Sequence, residues 1–283
     1  MSAASAIAFA LEIPGMLRLG ALQVPVFGVL AALGVVLALT LSQYTARLAR
    51  VDASRLWNAG LVMIASAFIA SRLILIAAAP RVFAAFPMAI LTLPSLTIGG
   101  TALAALATFA WLRFRRLSVL DVLDAWSPCA CTLAAVLALA HFLEGTDAGM
   151  PTRLPWGVVT PGDTVLGRVH PVELYACVAW IALGAFAWRR LSRRWWSGQA
   201  AAWTMALGGV ISFLLDMLRQ PVESQGSAWL DPAQYVALAA AAAGAWMLLR
   251  PWMEGPRPWP CGGVVGADET IAPAASEDLQ EIR

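Results

Sequence analysis

The chain has no lysine and only two histidines and four cysteines in 283 residues, and charged side chains make up just 13% of it. So few charges cannot solvate the surface of a water-soluble domain, which excludes soluble enzymes and soluble binding modules. The cysteines do not form a disulfide framework: Cys129, Cys131 and Cys177 lie in apolar runs and Cys261 near the C-terminus. Cys129 and Cys131, two apart, point to different faces of a helix and are poor joint metal ligands. They read as small apolar packing residues, and no metal is expected. A net charge of +2, with its basic residues accounted for by topology, gives no reason to expect nucleic acid.

What the chain does have is hydrophobic length. Sixty per cent of it is hydrophobic and its mean hydropathy is +0.73. A membrane span needs about 20 mostly apolar residues, because every backbone group must be satisfied inside the bilayer. The charge-free windows are Leu19–Ala46, Leu56–Ser71, Val82–Leu112, Ala125–Leu143, Leu174–Trp188, Trp195–Leu215 and Pro232–Leu249. The two short ones lengthen past Arg72 and Glu173, and the set predicts an all-α polytopic protein of seven transmembrane helices.

Arginine then sets the topology. Arg47, Arg50, Arg55, Arg113, Arg115, Arg116, Arg189, Arg190, Arg193, Arg194, Arg250 and Arg257 fall on one side of a seven-span chain. The positive-inside rule places the N-terminus outside and the C-terminus in the cytoplasm. Residues 1–23 lack a basic n-region and carry Glu12, so they read as an amphipathic lead-in on the outer face rather than a cleaved signal. Residues 24–250 form the membrane domain, with an outer loop at 145–171, and the acidic, Pro- and Gly-rich segment 251–283 reads as a disordered cytoplasmic tail.

Both histidines fall between His141 and Tyr175. Four prolines and five glycines in residues 145–171 predict a shaped loop rather than a helix, with Trp156 as an interfacial anchor. His141 and Glu144 share a helix face, as an acid/base pair or as a hydrogen-bonded helix end. His170, Glu173 and Tyr175 flank the start of the fifth span, where Glu173 also suits the helix dipole. Asp216 and Arg219 are three apart and placed to pair. Arg72 interrupts an apolar run eight residues before Pro80, and an ionisable residue inside a span usually faces a partner or an aqueous cavity. Arginines near the outer leaflet, Arg168 among them, suggest an anionic ligand such as a phospholipid head group. Gly99 and Gly100 permit close approach by a helix or a lipid.

Several of these pieces, in this order, resemble the bacterial prolipoprotein diacylglyceryl transferase family over roughly residues 15–250. "RLPWGVVTPGD" is similar to its outer-loop segment, "GRVHPVELYA" to its His-Pro-Ser-Gln-Leu-Tyr-Glu motif, and "SFLLDMLRQP" to Arg-Phe-x-x-Glu-Phe-x-Arg-x-Pro. "ASRL" around Arg72 matches Gly-Ala-Arg-Leu, and "AQYVAL" near Gln234 resembles Gly-Gln-x-Leu-Ser. The resemblance implies a bacterial inner-membrane enzyme that moves the diacylglyceryl group of phosphatidylglycerol to the lipobox cysteine in the signal peptide of a preprolipoprotein. A thioether forms, glycerol phosphate leaves, and no metal or organic cofactor takes part. On that basis Arg168, Arg219 and Arg72 are expected at the phosphate, and His170 or His141 with Glu144 at acid/base work. Gly99 and Gly100 are expected beside the lipid, and Glu173, Tyr175, Asp216 and Gln234 in support.

The chain also departs from that family's pattern. Where the family reads Gly-Arg-Ile-Gly-Asn-Phe-x-Asn-Gly-Glu, this chain has "LALAHFLEGT", so the motif arginine falls on Ala138, its asparagines on His141 and Glu144, and its acid on Thr146. The family's span-three histidine falls on Ile98, a span-one tyrosine on Phe27, and the first arginine of the span-six motif on Ser212. Two readings follow: a divergent transferase in which His141, His170, Arg168 and Arg219 compensate, or an inactive paralogue that binds lipid or lipoprotein as an accessory factor. A transporter is the weaker third, since the sequence has neither an inverted repeat nor a charged pore-lining series.

Overall fold

Several of the long apolar runs start where a polar side chain can satisfy the free N–H groups of a helix. In the computed structural model, which describes residues 16–19, 22–86, 97–145, 149–159, 168–219 and 230–254, α1 spans Val26–Ala49 and α2 Ala53–Ala78. The Asp52 carboxylate caps α2, accepting from the Arg55 N–H at 2.8 Å and the Ser54 hydroxyl at 2.7 Å. These hydrogen bonds, Ser54's first, hold its carboxyl below the ordinary aspartate value. The short α3 (Pro80–Ala85) begins on a proline, which needs no N–H partner there. Thr97 caps α4 (Ile98–Phe114) and Ser118 caps α5 (Val119–Glu144), which ends on Gly145 at φ +68°. Then follow α6 (Val172–Ser192), α7 (Gln199–Asp216) and α8 (Pro232–Glu254).

Six of these helices, all but α3 and α4, are long and apolar enough to cross a membrane. The third window of the sequence corresponds to α4, 17 residues long, with residues 87–96 outside the described part. The chain is an all-α polytopic membrane protein. Two short antiparallel ribbons accompany the helices. One joins β1 (Met16–Leu19) to β2 (Leu22–Pro25) ahead of α1, and the other joins β3 (Val158–Val159) to β4 (Arg168–Val169) in the 145–171 loop. Residues 1–15 of the lead-in, 160–167 of the loop with Thr146, and 255–283 of the tail with Cys261 lie outside the described residues. The chain through Leu248 forms one compact unit; residues 249–283 form a second, described only to Glu254.

Small residues let the helices approach. A Cβ on Gly34 of α1 would press on Leu133 and Val136 of α5 at 3.1 Å. Gly209 of α7 lies against Ala237 and Ala241 of α8, while Gly244 of α8 lies against Ala202 and Ala206 of α7. This reciprocal seam suits a bilayer, where van der Waals contact and not hydrophobic exclusion drives helix pairing. The buried cluster formed by Ala46, Ala49, Leu56, Ala59, Leu112, Val122, Ala125, Leu191 and Ala200 joins the ends of α1, α4 and α6 to the starts of α2, α5 and α7. The helices therefore alternate in direction, and the arginine-rich connections gather at that one end.

A polar network closes the arginine-rich end. Asp124, fully buried on α5, accepts from the backbone N–H of Gly198 at 2.7 Å and of Ala201 at 2.9 Å, capping α7 from another helix. Arg194 reaches the same carboxylate at 3.1 Å, Asp121 at 2.6 Å and the Ala49 carbonyl at 2.6 Å. One carboxylate and one guanidinium thus tie together α1, α5 and the α6–α7 turn.

Candidate functional site

At the opposite end the 145–171 loop builds a small platform. The Met150 N–H donates to the Leu218 carbonyl at 2.8 Å, the His170 N–H to the Met150 carbonyl at 3.0 Å, and the Thr152 N–H to the Arg168 carbonyl at 2.7 Å. An extended segment at 149–152 is thereby held between the start of α6 and the end of α7. Gly149 is required there: a Cβ would overlap the His170 carbonyl oxygen. This docking explains how residues almost fifty positions apart in sequence come to share a site.

Their charged groups meet there. Glu173, 4% exposed, accepts from Arg219 Nη2 at 2.5 Å, and Asp216 lies 3.7 Å from Arg219 Nη1. Two carboxylates therefore face one guanidinium, a local excess of negative charge. Asp216 Oδ2 and Arg219 Nε remain buried without a hydrogen-bond partner. Beside this cluster Trp156 Nε1 donates to the Tyr175 hydroxyl at 2.7 Å, and that hydroxyl lies 3.4 Å from His170 Nδ1.

His141 sits in the last turn of α5 with its ring 4.7 Å from that of Phe27 on α1, and its Nδ1 is buried without a partner. Arg72 is 7% exposed, with its guanidinium 4.9 Å from the Phe68 ring and its Nε and Nη1 buried without a partner. Next to it, the Ser71 hydroxyl accepts from the Thr97 N–H at 3.1 Å, and Gly100 packs so tightly on Ser71 that any Cβ would overlap it. The α4 start, with Gly99 and Gly100, thus lies against the Arg72 turn of α2.

The remaining expected residues stand apart. Arg168 is on the exposed face of β4, with Val169 turned inward. Glu144 is exposed. Gln234 caps its own helix, accepting from the Asp231 N–H at 3.3 Å. Ala138, where the motif arginine would stand, is buried in α5. Trp156, read from the sequence only as an anchor, proves to be the partner of Tyr175.

Between α1, α2, α5 and α7 runs a cavity of about 300 Å³, lined by residues such as Val35, Leu39, Met63, Leu123, Leu133 and Met205. Of its hydroxyls, Ser42 and Ser127 turn back onto the carbonyls of Leu39 and Leu123 in their own helices, while Thr204 Oγ1 is buried without a partner. The cavity still presents hydrocarbon almost throughout.

Six buried side-chain nitrogen and oxygen atoms among the described residues lack partners, and five of them belong to Arg72, His141, Asp216 and Arg219. Buried polar groups are normally satisfied, so these four side chains depart from the usual pattern. No group of three or more His, Cys, Asp or Glu side chains with metal-holding geometry occurs among the described residues.

Comparison with known proteins gives the same direction. The family model for prolipoprotein diacylglyceryl transferase matches residues 14–250. Relatives named phosphatidylglycerol–prolipoprotein diacylglyceryl transferase include one from Nitratidesulfovibrio vulgaris strain DP4, 32% identical over 151 residues, covering 50% of this chain and 55% of the relative. One from Chlamydia caviae is 30% identical over 106 residues, covering 35% and 36%. One from Cereibacter sphaeroides is 30% identical over 128 residues, covering 41% and 44%. The chain spans about half the length, or less, of these curated relatives.

Proposed function

This chain belongs to the prolipoprotein diacylglyceryl transferase family, and we propose that it is a multi-pass bacterial inner-membrane transferase. It takes the diacylglyceryl group of phosphatidylglycerol and joins it to the lipobox cysteine in the signal peptide of a preprolipoprotein. The observation that carries this reading is that buried nitrogen and oxygen atoms of Arg72, His141, Asp216 and Arg219 stand without hydrogen-bond partners.

In the reaction the cysteine sulfur attacks the glyceryl carbon that carries the phosphate. A C–S bond forms, the C–O bond breaks, its electron pair leaves on the phosphate oxygen of glycerol phosphate, and the thiol proton passes to a base. His141 suits that base, since its Nδ1 is buried with no protein partner. Arg72 suits the lipid phosphate. No described carboxylate pairs with it, and an uncompensated guanidinium in an apolar setting is costly until an anion arrives. Arg219, restrained by Glu173 and Asp216, acts as charge builds on the departing phosphate, with exposed Arg168 at the platform edge. The apolar cavity gives an acyl chain room at the low end of ligand-site volumes.

The test uses the purified full chain, phosphatidylglycerol and a synthetic lipobox peptide, with products followed by mass spectrometry. Lipidated peptide and glycerol phosphate are expected in equal amounts. No product, with an intact family transferase active alongside, sinks the enzymatic reading and leaves that of an accessory lipid- or lipoprotein-binding paralogue.

A further inference from the structure

Tyr175 stands between two nitrogen groups, and elementary hydrogen-bond accounting assigns its proton. An indole Nε1 only donates. Because Trp156 Nε1 lies 2.7 Å from the Tyr175 oxygen, that oxygen accepts. The phenol proton then needs an acceptor, and the described acceptor in reach is His170 Nδ1, at 3.4 Å. If Nδ1 takes that hydrogen bond, it carries no proton of its own, and the neutral ring must carry one on Nε2.

The His170 backbone is fixed on both sides, its N–H on the Met150 carbonyl and its carbonyl accepting from the Val172 N–H at 2.9 Å. Gly149 packs against that same carbonyl. The Glu173 carboxylate, one helical turn away, is engaged by Arg219. Tyr175 thus sets the side chain of His170, edge-on to its own ring at 6.1 Å between centroids, and Trp156 ties this to the position of the loop.

We infer that Trp156 and Tyr175 are positioning residues that hold His170 as its neutral Nε2–H tautomer, so that His170 donates a hydrogen bond to the departing phosphate and does not take the thiol proton. This second clause rests on the transferase reading; the tautomer itself does not. It divides the labour between the chain's two histidines, with His170 as donor and His141 as base.

Two histidines also make the test clean. Solid-state NMR of the full chain, labelled with ¹⁵N at histidine and placed in phosphatidylglycerol-containing bilayers at mildly alkaline pH, reports the protonation of each ring nitrogen. A His141→Gln variant leaves His170 as the one imidazole. The expected spectrum shows a bare Nδ1 and a protonated Nε2. Tyr175→Phe is expected to give a mixture of tautomers, and Trp156→Phe a smaller change in the same direction. Transfer to the lipobox peptide should slow about tenfold in Tyr175→Phe with KM unchanged, because the hydrogen bond is made to the leaving group. A protonated Nδ1 in the wild-type spectrum, or a Tyr175→Phe spectrum identical to wild type, overturns the assignment. Should Tyr175→Phe fail to fold, the wild-type spectrum decides alone. A changed spectrum with an unchanged rate overturns the donor role. A wild-type chain with no transferase activity sinks the reading beneath that role and leaves the tautomer to the spectrum.

Discussion

The two ends of the bundle solve the problem of buried charge in opposite ways. At the arginine-rich end, Asp124 receives two backbone N–H groups and Arg194, and Arg194 spends its remaining donors on Asp121 and the Ala49 carbonyl. At the histidine end, Arg72, His141, Asp216 and Arg219 keep buried nitrogen and oxygen atoms with no protein partner. A satisfied buried network holds a structure together, whereas an unsatisfied one costs stability and persists where a ligand completes it. The first end is a clasp; the second carries the polar atoms on which the proposed function rests.

Mutations at the two ends should therefore have opposite signatures. The largest effect is expected from Asp124→Ala, which strands two buried backbone N–H groups and takes one of two carboxylates from Arg194. Breaking one side of a buried pair costs about 3–5 kcal/mol, and thermal unfolding in detergent should show a large fall in midpoint or no folded fraction. Arg72→Gln should do the reverse. Lipid transfer should drop about a hundredfold, the usual loss for one transition-state charge contact, while the thermal midpoint holds or rises. A clear fall in stability for Arg72→Gln would erase the contrast between the ends.

Gly149→Ala tests the loop platform at the histidine end. Its Cβ would collide with the His170 carbonyl, and overpacking of this kind costs about 1–3 kcal/mol. Limited proteolysis should cut the 145–171 loop faster than in wild type, with the rest of the bundle protected as before. The smallest effect is expected at the solvent-facing Asp52. Its carboxyl is held below the ordinary value by hydrogen bonds to its ionised form, so its contribution is present above the unfolded-state value and lost as pH falls through the lower folded one. Asp52→Ala should lower the thermal midpoint slightly at neutral pH, and the gap to wild type should close below the ordinary carboxylate range.

Most of the architecture could be read from residue order. Apolar length marks the spans, arginines mark one set of ends, and Asp52, Thr97, Ser118 and Gly145 announce their helix boundaries. Asp124 is an ionisable residue within the described helix, as Arg72 is, and the same logic applies to it. Asp124 lies just outside the charge-free window Ala125–Leu143, and in the sequence Arg194 counts only as one of the arginines that set topology. The pairing of Trp156 with Tyr175 had no local signal, because it depends on how a loop of prolines and glycines folds back.

The sequence by itself determined that this is an all-α membrane bundle with arginine-rich connections, because the bilayer enforces length and hydrophobicity on every span and arginine resists crossing. Only the tertiary structure decided which polar groups satisfy each other and which are left free. A hydrogen bond between residues 46 or 77 positions apart, such as Glu173 with Arg219 or Asp124 with Ala201, depends on helix crossings and loop docking within a few ångströms. No pattern of spacing along the chain carries that information.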